Sequence, residues 1–244
     1  MSLFRDRGVV LRTYRLGEAD RIIVLLTEEH GKVRAVAKGV RRTASKFGAR
    51  LEPLSHVALL LWQGRGELDI VNQVEVIDYF PNLRGDLGRI THGLALLEVA
   101  DQLAQERHAD VRLYGMLVGA LRALAERERD PTLVAPAFFL KVLVLEGAGP
   151  VLDGCASCGR AGPQVELVAF SLAEGGALCH ACRRGRPVSP EALDLMRRIL
   201  GGSLGQVLAA TPPPCSGEVT ALATEAVETH LDRRLRSVRS VAGI

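Results

Sequence analysis

Arg21 to Ala37 reads RIIVLLTEEHGKVRAVA, and this stretch decides the fold. Arg21 to Thr27 is a β-branched apolar run. Glu28 to Gly31 has the composition of a turn, and Lys32 to Ala37 alternates apolar and polar with period two. A β-hairpin is the expectation. Upstream, Gly8 to Tyr14 (GVVLRTY) mixes β-branched and polar residues as a strand does. Downstream, Val57 to Trp62 and Leu68 to Ile77 are two more strand-like runs, with Gly64-Arg65-Gly66 as the turn between them. Five short strands in the first 80 residues fit a small antiparallel barrel or sandwich.

From about Leu83 the period changes. Ile90, Leu94, Leu97 and Leu103 fit one helical face, with Glu98, Asp101 and Arg107 able to face water. Leu113, Leu117, Leu121 and Leu124 make a second helix. Asp130-Pro131 reads as the start of a third, apolar almost all round, which Gly147 and Gly149-Pro150 stop. Ser189-Pro190-Glu191 opens a helix that ends at Gly201-Gly202, and a last helix spans about Glu218 to Leu235. The expected fold class is therefore α+β and multidomain. An oligonucleotide-binding (OB) type β-barrel occupies 1–80, and a helical domain follows over 81–244, with a cysteine-bearing element at about 151–187.

Composition narrows the classes. The chain has 244 residues, 48% hydrophobic and 24% charged, which excludes disorder and collagen. No apolar stretch approaches the ~20 residues of a membrane span. Charges precede any apolar run at the N-terminus, so no secretory signal is expected. Five cysteines, an odd count, suit a reducing cytosol, and a cytoplasmic protein is the expectation. The net charge of +3 hides an uneven spread: +3 over 1–80, −2 over 81–154 and +2 over 155–244. Between Glu29 and Glu52 there is no acidic residue, but there are seven cations: Lys32, Arg34, Lys38, Arg41, Arg42, Lys46 and Arg50. Such a window is a candidate footprint for nucleic acid, or else a solvated basic loop.

The cysteines carry the strongest chemical signal. Cys155-Ala-Ser-Cys158 and Cys179-His-Ala-Cys182 are two CxxC pairs 20 residues apart. Each pair sets two thiolates on one knuckle, and two knuckles complete a tetrahedron for a structural Zn2+. An iron–sulfur cluster and plain buried thiols are the alternatives. His180 is read as lying outside the ligand set, and Cys215 has no assigned role. Arg183, Arg184 and Arg186 follow Cys182 at once and are possible DNA-binding residues, or serve only solubility.

Enzyme motifs fail in turn. Leu26 stands where a P-loop before Gly31-Lys32 needs glycine, and Asp69 stands where a dinucleotide fingerprint starting at Gly64 needs one. Gly201-Gly-Ser-Leu-Gly205 matches GxSxG. That motif requires a strand before it, and the sequence places a helix there. No catalytic residue is assigned, and a non-enzyme is expected.

The residues Tyr14-Arg-Leu-Gly-Glu18-Ala-Asp20-Arg21-Ile22, Thr27 with Gly31, Ala37-Lys-Gly-Val-Arg41-Arg42, Ser45 and Leu51-Glu-Pro53 resemble the RecO family of recombination-mediator and DNA-repair proteins. The order of barrel, helices and CxxC pairs matches as well. The resemblance implies binding to single- and double-stranded DNA and annealing of complementary strands without ATP. It further implies action with RecR to load RecA on strands coated by single-strand-binding protein, and a nucleoid-associated location. Lys38, Arg41 and Arg42 fall on the family's basic motif. Phe47 and Tyr14 are candidates to stack on bases, against the reading that both are barrel core, which is preferred for Tyr14. The alternative function is a zinc-stapled protein–protein adaptor with no direct nucleic-acid contact.

Overall fold

The structure is a computed structural model, and it describes residues 2–42, 45, 47–64, 66–126, 129–162 and 165–239. Five strands close a barrel: β1 (Leu3–Leu16), β2 (Asp20–Thr27), β3 (Gly31–Ala37), β4 (His56–Trp62) and β5 (Asp69–Asp78), in the order β1-β2-β3-β5-β4. All neighbours are antiparallel except β3 and β5. Closure depends on β1, whose first half pairs with β4 and whose second half pairs with β2. A β-bulge between Val10 and Arg12 bends it between the two partners. Cross-strand partners run from Tyr14 through Ile22, Val36, Ile70 and Trp62 back to β1 at Leu3. Positions 14 and 3 lie eleven residues apart, which is the stagger that closing so small a barrel imposes.

Val10, Ile23, Leu25, Val33, Val57, Leu61 and Val71 fill the barrel. Phe47 and Leu51, on either side of a 3-10 turn at Gly48–Leu51, are each 1% exposed and complete the core. Phe47 is thus core and not a stacking ring.

By contacts the backbone forms two compact units, Met1–Glu126 with Ser237–Ile244, and Arg127–Arg236. The first adds three helices to the barrel: α1 (Pro81–Arg84), α2 (Leu87–Leu103) and α3 (Val111–Ala125). Asp86 and Asp110 cap α2 and α3, accepting from the backbone N–H of Arg89 and Leu113. Arg89 is buried and donates to the carbonyls of Leu124 (2.5 Å) and Glu126 (2.9 Å), satisfying the C-terminal end of α3. Asp101, expected to face water, is also buried, because it receives barrel cations. Leu94, expected in the core, is 39% exposed.

The second unit holds α4 (Val134–Leu145), a three-stranded sheet, and α5 (Pro190–Leu200), α6 (Leu204–Ala209) and α7 (Ser216–His230). The sheet is β6 (Leu167–Ser171), β7 (Gly176–Cys179) and β8 (Arg186–Pro187), in the order β7-β6-β8. α4 is buried almost throughout. It starts later than Asp130-Pro131 suggests: Asp130 Oδ1 accepts from Thr132 N–H, and Pro131 forms a turn ahead of the helix. Ser203 of the GxSxG stretch lies between α5 and α6, so the strand that a nucleophile elbow needs is not there. No helix among the described residues is long and apolar enough to cross a membrane.

Candidate nucleic-acid interface and metal centre

The seven cations of the basic window do not share one role. On β3, core residues Val33 and Ala35 alternate with outward Lys32, Arg34 and Val36. The outer face at Lys32 and Arg34 is covered by the chain after α2. Lys32 Nζ donates to the Asp101 carbonyl at 2.5 Å, and its side chain is only 15% exposed. Arg12 reaches the same Asp101 carboxylate at 3.0 Å. Arg34 pairs with Glu67 at 3.3 Å and Glu106 at 3.9 Å. Lys32 and Arg34 therefore hold the barrel's outer face to this chain segment. Arg41 donates to the carbonyls of Glu18 (2.9 Å) and Gly17 (3.3 Å), and its N–H bonds Ala19 O. It ties the loop after β3 to the β1–β2 turn. Arg50 is exposed and lines a cleft of about 690 Å³ with Asn72, Gln73 and Glu75. Lys46 lies outside the described residues. Lys38 and Arg42 are exposed, and among the described residues neither side chain has a hydrogen-bond or ion-pair partner.

Tyr14 corrects the sequence reading. It is 45% exposed, and the Arg12 guanidinium lies 5.2 Å from its ring centroid. Period two counted from core Val10 places residue 14 inside. The bulge at Leu11 adds a residue and inverts the phase, so Arg12, Tyr14 and Leu16 point outward. The polar Arg12 was the available signal.

The four cysteines of the two CxxC pairs come together. Their sulfurs lie within 4.8 Å of one another, with Cys158 and Cys179 Sγ 3.9 Å apart. Tetrahedral Zn–S bonds of about 2.3 Å place sulfurs roughly 3.8 Å apart. The first knuckle is closed by Cys155 N–H to Arg160 O (2.8 Å) and Gly159 N–H to Cys155 O (2.9 Å), with Gly159 at φ +72°. Ala156 N–H to Ala177 O joins it to β7, and β7 itself delivers Cys179. Burial raises the Cys155 thiol, but hydrogen bonds to the backbone at Cys179, Cys158 and Ser157 hold it down at about 6. Hydrogen bonding to Cys158, together with burial, pushes Cys182 up to about 12. The Cys155 thiolate thus forms at the expense of Cys182, and a bound cation would favour the ionised form of both. The donor set fits a structural metal ion. His180 turns away to Glu166, 3.2 Å distant.

Arg184 donates to Ser157 Oγ (3.1 Å) and pairs with Glu174, and Arg186 pairs with Glu225 at 2.5 Å. Both serve the second unit's own architecture. Arg183 is exposed, and among the described residues its side chain has no such partner.

Residues 1–80 match the family model described as Recombination protein O N terminal, and residues 84–239 that described as Recombination protein O C terminal. A relative from Streptomyces coelicolor, named DNA repair protein RecO, is 47% identical over 251 residues, covering 99% of each chain.

Proposed function

This chain belongs to the RecO family of DNA-repair proteins, and on that premise we propose that it binds single- and double-stranded DNA at one end of its barrel and anneals complementary strands without ATP. With RecR it would then help to place RecA on strands covered by single-strand-binding protein. The observation that carries this reading is Lys38 with Arg42: two exposed cations on the loop that follows β3, without acidic partners among the described residues. Arg41 supports them by fixing that loop to the β1–β2 turn. Cations placed this way neutralise phosphates and release counterions. Two strands held on one basic surface repel each other less, and pairing accelerates. The step is electrostatic and calls for no catalytic group. A Zn2+ held by Cys155, Cys158, Cys179 and Cys182 would supply a cross-link, since four thiolates leave no open position for chemistry.

The test is salt dependence. The variant Lys38→Ala/Arg42→Ala should bind more weakly to every sequence. Its slope of log K against log salt should be shallower by roughly 0.9 for each lost duplex phosphate contact. Arg41 is left intact because its loss would loosen the loop itself. An unchanged slope in the folded variant would move DNA away from this loop and favour the adaptor.

A further inference from the structure

The residues that carry the family resemblance are mostly committed inside the barrel unit. Asp20 Oδ1 accepts from Gly39 N–H at 2.7 Å, and Arg21 pairs with Glu52 at 2.6 Å. Thr27 Oγ1 donates to Gly31 O at 2.9 Å, and Arg41 holds the two loops together. Tyr14 has no such employment: its hydroxyl makes no hydrogen bond among the described residues. Its cross-strand partner is Ile22, whose own partner is Val36. Ile23 and Ala35, next to them in the chain, face the core, so Ile22 and Val36 face outward and remain partly exposed. Three side chains on adjacent strands about 4.8 Å apart make an apolar floor one aromatic ring deep and about 10 Å across.

The floor has a basic margin. Arg12 is held by Asp101 beside the Tyr14 ring, and Arg15, Lys38, Arg41 and Arg42 lie on the same end of the barrel. The acids there are Glu18, Asp20, Glu52 and Asp101, of which Asp20 accepts from the Gly39 N–H, Glu52 pairs with Arg21 and Asp101 holds Arg12. The outward row continues round the barrel to Ile70, Trp62 and Leu3, but there the next turn brings Gln63 and Glu67, where Arg34 is held.

From this placement we infer that Tyr14, Ile22 and Val36 form a base-stacking floor, which takes the unpaired bases of a single strand and gives the barrel a preference for single strands over duplex. This rests on the reading that the barrel binds DNA, and adds which feature of DNA it recognises. Phosphate contacts are common to both forms. The faces of the bases are free only in a single strand, and aromatic stacking on them tolerates any sequence.

The experiment measures equilibrium binding of the full chain to a labelled oligothymidine and to a labelled hairpin duplex, at several salt concentrations. Tyr14→Ala should weaken oligothymidine binding roughly 5- to 100-fold, with the salt slope and duplex affinity unchanged. Tyr14→Phe should restore it. Because the side chain is exposed, the melting temperature of both variants should stay near that of the parent, which guards against a folding artefact. Equal loss on both DNAs, or no loss on oligothymidine, overturns the floor. If the Lys38→Ala/Arg42→Ala variant still shows a shallower slope in that case, barrel–DNA binding survives without the floor. If the parent chain binds neither DNA, both readings fall. If Tyr14→Ala instead impairs capture of an acidic peptide, with binding to both DNAs intact, the floor belongs to a protein partner and the inference fails.

Discussion

Gly31 is where the β2–β3 turn meets the chain after α2. Its φ is +66°, and a Cβ built on it would lie 1.9 Å from the His108 carbonyl oxygen. Gly31→Ala combines backbone strain with a backbone collision and should cost about 2–5 kcal/mol, read as a lower urea midpoint. His56 sets a different constraint. It is buried, with Nε2 2.8 Å from the Tyr114 hydroxyl and no hydrogen-bond partner for Nδ1 among the described residues. Burial first, and Arg122 second, lower its pKa below 6.5. The unfolded chain therefore takes up the proton before the folded one. His56's contribution is full above about 6.5 and is lost as pH falls through the lower folded value. A His56→Asn variant should lose less stability than the parent between about pH 7 and pH 5; an equal loss would show that other groups dominate acid unfolding. Single residues also mark where sequence reading stopped. Tyr14 was misplaced by one bulge at Leu11. Lys32 and Arg34 read as free cations because their partners, Asp101 for Lys32 and Glu67 and Glu106 for Arg34, lie far from them in the chain, 69 residues away for Lys32 and 33 for the nearer partner of Arg34.

At the scale of elements, period did most of the work. The RIIVLLT and KVRAVA runs form the hairpin they suggest, and Ser189-Pro190 begins a helix as its capping signal implies. Short elements carried no comparable signal. α6 is six residues following a double glycine, β6 and β7 are a hairpin of only five and four residues, and β8 is two residues that reach β6 from beyond the second knuckle. The knuckles were legible because CxxC spacing is a local rule. Their junction with β7 was not, because Ala156 and Ala177 meet only once the loop has folded. Four thiolates around one point should hold one zinc per chain. Stripping it with a chelator should free the four thiols and remove hydrogen-exchange protection at Ala156 and Ala177, while leaving β2 and β3 protected. Cys158→Ser/Cys182→Ser should fail to retain metal. Full metal content in that variant would remove the four-thiolate site.

For the whole molecule, barrel, helices and cysteine element follow one another in the order the sequence implies, and family matches span 1–80 and 84–239. The switch from period two to period 3.6 near residue 83 marks a change of element type. The compact units divide instead after Glu126, because α1 to α3 associate with the barrel through contacts such as Lys32 with Asp101. The function proposed for the whole chain needs a surface that brings two DNA strands together by charge alone. The most direct measurement is annealing of two complementary labelled oligonucleotides by the zinc-loaded full chain, without ATP, at low and at high salt. Annealing should accelerate at low salt, and the acceleration should fade as salt rises. No acceleration at low salt by folded, metal-loaded protein would contradict the proposed function and leave the chain as an adaptor.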